Sequence, residues 1–283
     1  MELITRTGLP DNFNVFEIGD THIGSALCYE RGLDKLTEMV FSEYHGVKDN
    51  YIVHHGDAIE AILIDDIRYH PATCLTPFPG LQVEDVVRTF SPVSDKILAW
   101  MIGNHEWRLW RYGNIGKDIA KRLNVPYGGF TCKIIYRDKN DDIMFKQYCT
   151  HGRKGISSTA DDPIRQVANK KLSLKRHLKK KAGDCLVMSK GHVHQIIVSE
   201  PEKEVYLTDD GFDINQSYTK AQRNQVYIPP DLRWYICTGS FYKSFEVGVE
   251  SYPELGEYDP VQLGFAVVKV RNRDVEGVDP IYL

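Results

Sequence analysis

Residues 14–22 read NVFEIGDTH, a short apolar run that stops at Gly19 and passes at once into Asp20-Thr21-His22. A run of that length closed by glycine reads as a buried strand and is too short for a buried helix. The same pattern recurs at 51–57 (YIVHHGD), 97–106 (ILAWMIGNHE), 143–152 (IMFKQYCTHG) and 185–194 (CLVMSKGHVH). Stretches with helical patterning lie between them at 33–44, 83–90, 116–123 and 163–181. Strand alternating with helix predicts an α/β domain with parallel pairing at its centre.

The later part changes character. Apolar runs at 196–199, 205–208, 232–238 and 264–270 have little helix between them and predict a second, more antiparallel sheet. Two segments break the rhythm, 68–80 and 209–230, and are expected to be insertions serving as lids, binding loops or plain surface connections. With no repeat and no linker, a single domain over residues 1–283 is expected.

Hydrophobic residues at 42% and charged residues at 26% exclude a disordered chain. No apolar stretch approaches the roughly 18 to 20 residues of a membrane span, and the opening MELITRTGLPDNF lacks a secretion-signal core. A soluble cytoplasmic protein with no membrane partner is expected. The net charge of −4 gives no global attraction to nucleic acid. Six scattered cysteines without a C-x-x-C pair are expected to be reduced core thiols.

In open α/β sheets, sites form just beyond the carboxyl ends of the strands, where the polar residues of these five segments fall. Asp20 and His22, two apart in an extended segment, are expected to point the same way and grip one ion. Asp57 has two carboxylate oxygens and can bridge two cations about 3.5 to 4 Å apart. Asn104 offers an amide oxygen, His151 follows a fourth strand, and His192 and His194 repeat the alternate spacing. Each motif alone is weak, since an isolated Gly-Asp is usually a turn. Five of the chain's ten histidines fall in the four motifs Asp20-Thr21-His22, Gly103-Asn104-His105-Glu106, His151-Gly152 and Gly191-His192-Val193-His194, and that concentration points to a metal pair.

The order DTH, GD, GNHE, HG, GHVH resembles calcineurin-like metallophosphoesterases from about residue 15 to residue 270. TGSF at 238–241 and GFAVVKV at 264–270 are similar to phage and bacterial branches of that family. The resemblance implies an α/β/β/α four-layer sandwich and two divalent metal ions. By the same resemblance, Asp20, His22 and His194 hold the first ion, Asn104, His151 and His192 the second, and Asp57 bridges them. Oxygen and nitrogen donors without thiolate suit Mn²⁺, Fe or Zn²⁺, and Mn²⁺ is the preferred expectation. Related purple acid phosphatases carry tyrosine three residues after the bridging aspartate, where this chain has Glu60, so a tyrosinate-bound ferric site is not expected. His105 resembles the family's catalytic histidine that protonates the leaving group.

The expected substrate is a phosphate ester, and the expected activity is a phosphodiesterase acting on nucleic acid or nucleotides. The alternatives are a phosphomonoesterase and a non-catalytic scaffold on the same fold. The basic run KKLSLKRHLKKK at 170–181 leaves Lys175, Arg176 and Lys179 on solvent-facing sides of a helix, either simply solvated or guiding a polyanion. Arg108 is expected to contact phosphate or to pair with Glu106. Trp107, Trp110, Trp234, Phe241 and Tyr242 are candidates for base stacking or for the core, and His54 is expected to be a core histidine.

Overall fold

The computed structural model describes residues 1–222 and 224–283. It opens with β1 (Glu2–Leu9), β2 (Phe13–Ile18), α1 (Glu30–Phe41), β3 (Asn50–His54), α2 (Pro79–Phe90) and β4 (Ile97–Met101). There follow α3 (Asn104–Arg108), α4 (Ile115–Leu123), β5 (Tyr127–Gly129), β6 (Thr131–Asp138), β7 (Ile143–Thr150) and α5 (Pro163–Leu178). The last part holds β8 (Val187–Lys190), β9 (Ile197–Ser199), β10 (Val205–Asp209), β11 (Ile214–Tyr218), β12 (Trp234–Cys237), α6 (Tyr252–Leu255), β13 (Gly264–Arg271) and β14 (Asp274–Tyr282).

One six-stranded sheet runs β14-β13-β2-β3-β4-β5 and the other β1-β6-β7-β8-β12-β9. Side chains alternate along each strand, so each sheet has two apolar faces to bury. From the first sheet, Phe16, Ile18, Ile52 and Trp100 meet Leu36, Val86, Phe90 and Ile119 of α1, α2 and α4. Phe13, Val15, Val53 and Met101 point the other way, onto Ile134, Tyr136, Cys149 and Ile236 of the second sheet. Leu174 and Leu178 of α5 cover the outer face of that sheet at Tyr148, Met188 and Tyr235. Helix, sheet, sheet, helix is the expected four-layer sandwich.

A buried polar tie crosses the sheet-to-sheet core. His55 Nε2 donates to Glu17 Oε2 at 2.6 Å, and Gln147 Nε2 donates to Glu17 Oε1 at 2.7 Å and to Ser189 Oγ at 2.8 Å. The Tyr136 hydroxyl closes the network on Gln147 Oε1 at 2.6 Å. Apart from His55 Nδ1, which has no partner, the side-chain polar atoms of this buried network are paired, and such pairing favours one alignment of the layers over others.

The second sheet, expected to be the more antiparallel of the two, is mixed. β7 pairs with β8, and β8 with β12, in parallel, because α5 carries the chain back across the sheet between β7 and β8. β13 joins the first sheet, antiparallel to β2, and β10 pairs only with β11 in a separate hairpin. Of the two expected insertions, residues 68–78 form an irregular loop, and Pro79 and Gly80 already begin α2. The 209–230 segment contains β11, and its residue 223 lies outside the described residues. Among the described residues all six cysteines are free, and five of them are buried. No helix among them is long and apolar enough to cross a membrane.

Candidate metal centre

The polar residues after β2, β3, β4, β7 and β8 converge at one end of the sandwich. The backbone beyond β2 and β3 continues as a ladder, with Asp20 N–H donating to the Gly56 carbonyl at 2.9 Å and His22 N–H to that of Asp57 at 3.1 Å. Asp20, His22, Asp57, His192 and His194 all adopt positive φ, at 53°, 47°, 50°, 75° and 55°. The left-handed region disfavours residues with a side chain, and such conformations concentrate at functional sites. The extended geometry expected for the D-x-H and H-x-H pairs is therefore not what aims them. Asp20 and His22 do stay together, but His192 and His194 part company and join different groups.

Asp20, His22 and His194 form one set in which a ligand atom of each lies within 4.8 Å of the others, and Asp57, His151 and His192 form a second. Each set draws on both sheets. His194 Nε2 lies 3.1 Å from Asp20 Oδ1, and His151 Nε2 lies 3.1 Å from Asp57 Oδ2 and 3.0 Å from Asn104 Oδ1. Asn104 thus stands beside the second set.

The donor chemistry fits divalent cations. Buried His22 Nε2 finds no hydrogen-bond partner within the protein, and Asp20 Oδ1 has only the His194 Nε2 beside it, a contact that does not meet hydrogen-bond geometry. The His22 Nδ1–H donates to Glu60 Oε2 at 2.8 Å, which fixes the tautomer and leaves the Nε2 lone pair free for an ion. Burial and the neighbouring His105 hold His22 below its ordinary pKa, and burial pushes His192 down to about 4. Burial is the largest influence on both aspartates and opposes their ionisation, but the surrounding histidines together outweigh it, His194 and His151 at Asp20 and His151, His105 and His22 at Asp57, so both stay carboxylates. Neutral imidazoles beside ionised carboxylates are the protonation states that bind metal. At His151 burial is outweighed by Asp57 and Asp20, which raise it to about 9, the response of an imidazole in a surplus of negative charge.

Glu106 is a part of the site that sequence reading does not find. Its buried carboxylate receives four backbone N–H groups: Gly103 at 2.9 Å, Asp57 at 3.2 Å, Ala58 at 2.5 Å and Ile59 at 3.2 Å. The β3 loop that presents Asp57 is therefore anchored to α3, which presents Asn104. The two loops approach so closely that a Cβ on Gly103 would collide with the Asp57 carboxylate, and one on Gly56 with the Gly103 backbone. His105 lies over Glu60, donating its Nδ1–H to that residue's carbonyl, and its own N–H donates to Asp57 Oδ1 at 2.8 Å. Glu60, noticed in the sequence only as a replaced tyrosine, holds both His22 and His105.

Other expected site residues fall further out. Arg108 pairs with Asp66 Oδ2 at 3.0 Å, not with Glu106, whose carboxylate is taken by backbone. Asp66 also receives Arg68 through Nε at 3.0 Å and Nη2 at 2.9 Å. Lys175, Arg176 and Lys179 are not brought to the cluster: they lie at the end of α5, where Lys175 pairs with Asp231 and the Lys179 carbonyl accepts from Arg233. Arg233 precedes β12, so this basic end flanks the starts of β8 and β12, opposite the end that carries His192. Trp234 and Phe241 are core, and Tyr242 is buried with its ring 4.7 Å from that of His22. Trp107 packs with Trp110 and Phe130, both of which are exposed. His54 stacks on Trp100 at 4.0 Å, and burial pushes it down to about 3, as suits a core histidine.

Two sheets meet here at a cluster of carboxylates and imidazoles that could hold metal ions. The calcineurin-like phosphoesterase family profile matches residues 13–216, and the chain belongs to that family. No curated protein matches it. The solved structure of a conserved uncharacterised protein from Streptococcus pneumoniae TIGR4, described as a predicted phosphoesterase, is similar over 95% of this chain and 97% of its own. That likeness, at 10% identity and a TM-score of 0.29, carries no argument here.

Proposed function

We propose that the chain is a phosphodiesterase that cleaves a nucleotide or nucleic-acid phosphodiester with two divalent ions, manganese preferred. The observation that carries this reading is the pairing of the two ligand sets, Asp20 with His22 and His194 and Asp57 with His151 and His192. Asp57 bridges them in this reading, and Asn104 completes the second set. Bound ions supply charge that neutralises the phosphoryl oxygens and lower the pKa of an attacking water.

The chain's own residues do the rest. Glu60 keeps His22 in its ligand tautomer and, through its carbonyl, ties down Nδ1 of His105. Nε2 of His105 is then the atom available to protonate the leaving oxygen, general acid catalysis typically worth about 10²- to 10⁴-fold. Trp107, Trp110 and Phe130, beside the helix that begins with Asn104, support a substrate carrying a base, since aromatic faces stack on any base.

A phosphomonoesterase is the second reading, favoured by Arg68 and Arg108. Both are fixed on Asp66, whose carboxyl also feels the charge of His105, and a dianionic monoester gains more from such neighbours than a monoanionic diester does. A scaffold without activity is disfavoured, because every ligand position of the family pattern is filled. Hydrolysis of bis-(p-nitrophenyl) phosphate, p-nitrophenyl phosphate and single-stranded DNA with Mn²⁺ tests the choice. Faster cleavage of the diesters is expected; faster cleavage of the monoester moves the assignment to the second reading, and inactivity on all three with metal bound sinks both.

A further inference from the structure

The β10–β11 hairpin stands away from both sheets with an apolar face turned to solvent. Its register pairs Val205 with Tyr218, Leu207 with Gln216 and Asp209 with Ile214, so Val205, Leu207, Ile214 and Tyr218 share one face with the polar Asp209 and Gln216. Tyr206, Thr208, Asn215 and Ser217 take the other. Leu207 is 66% exposed, Ile214 77%, and Phe212 at the tip 96%. An isolated two-stranded hairpin is marginal in water, and one that leaves Val205, Leu207, Phe212, Ile214 and Tyr218 exposed presents an apolar patch of the kind that marks an interaction site. The hairpin and its entry are also acidic: Glu202, Glu204, Asp209, Asp210 and Asp213 stand against Lys203 and Lys220.

A surface of the opposite character exists on the same chain. A groove of about 330 Å³ runs beside α5, where Val167, Ile197, Val198, Pro280 and Tyr282 line it together with Lys170, Lys171 and a single carboxylate, Glu200. Its walls include β9 and β14, the outermost strands of the two sheets, whose unpaired edges are surfaces that proteins ordinarily cover. The first turns of α5 overhang, leaving Ile164 and Val167 exposed, and residues 163–181 carry eight basic residues and no carboxylate.

We propose that the hairpin of one copy docks in the α5 groove of a second copy, and that the exchange is reciprocal. Apolar face meets apolar groove, and the carboxylates of the arm meet the lysines of the helix. An acidic arm repels a polyanion, so nucleic acid is excluded as its occupant. Since each chain carries both surfaces, two copies satisfy both at once around a twofold axis, and the assembly closes as a dimer. The inference does not depend on the chemistry of the metal centre.

Sedimentation velocity of the full chain over a range of concentrations tests it. A dimer is expected that dissociates on dilution and more readily at high salt. Ile214→Lys should give a monomer, and Lys170→Glu with Lys171→Glu should weaken the dimer about tenfold or more, as loss of close charge pairs across an interface does. Adding Asp209→Lys and Asp210→Lys to that charge variant should restore association, which a merely misfolded variant cannot do. A wild-type chain that stays monomeric throughout, its hairpin folded on its own groove or kept for another partner, overturns the proposal. So does a dimer indifferent to these substitutions.

Discussion

His151 holds Nε2 3.1 Å from Oδ2 of Asp57 while its Nδ1–H is already given, at 2.8 Å, to the carbonyl of His55. Without metal, Nε2 can face that carboxylate favourably only with a proton on it, and the raised pKa of about 9 expresses this. The folded value lies above the ordinary 6.5, so the group adds stability that is complete below pH 6.5 and is lost as pH rises through 9. Thermal melts in chelator should show the melting temperature falling across that window, and saturating Mn²⁺ should flatten the slope by displacing the proton. A metal-free chain that gains stability from His151 over the same range contradicts the reading; His151→Gln isolates its share.

Glu106→Ala removes the acceptor of four buried N–H groups. Each unsatisfied donor costs about 1 to 3 kcal/mol, so a loss of at least about 3 kcal/mol is expected after local relaxation. Urea unfolding measures it, and a change within about 0.5 kcal/mol, typical of a surface substitution, would show that the anchor is unimportant.

Gly103→Ala acts by bulk alone, since its φ of −98° suits any residue. The added Cβ must displace the Asp57 carboxylate. We expect weaker metal binding with the overall fold retained, read by isothermal titration beside circular dichroism; wild-type affinity would mean that Asp57 is not a ligand.

His105→Ala should keep both ions and lower kcat by about 10²- to 10⁴-fold, whereas Asp57→Asn should lose metal as well as turnover. Metal analysis alongside kinetics separates the two roles, and full activity in either variant removes that residue's assignment.

Arg68→Ala combined with Arg108→Ala should raise KM for every phosphate ester. Neutralising Lys175, Arg176 and Lys179, at the remote end of α5, should leave KM for small esters unchanged. A larger effect of the lysine set on single-stranded DNA would reinstate that helix as a guide for polyanions.

The seven candidate ligands were legible because each follows a strand that the pattern of apolar runs already marks. Chain order and strand ends suffice to gather Asp20, Asp57, Asn104 and His192 at one edge. The partners that aim them were not legible. Glu106 reaches back to backbone donors of residues 57–59, and Glu60 meets His22 from across the turn, through contacts that no local pattern encodes. Nor did spacing separate His192 from His194, because left-handed turns, not extended backbone, set their directions. Of the missed strands, β6 alternates strictly between buried and half-buried positions, TCKIIYRD, and a period-two search finds it. β1 buries only Ile4 and Leu9 and leaves no such trace.

The polar tie from Glu17 to Gln147 spans the same two sheets that divide the candidate ligands between them. A slide of one layer against the other by a fraction of an ångström would barely alter the apolar area buried, yet it would pull both ligand sets out of register. Catalysis in this scaffold should therefore fail well before folding does, and turnover is the finer gauge of whether the interior is packed as it should be.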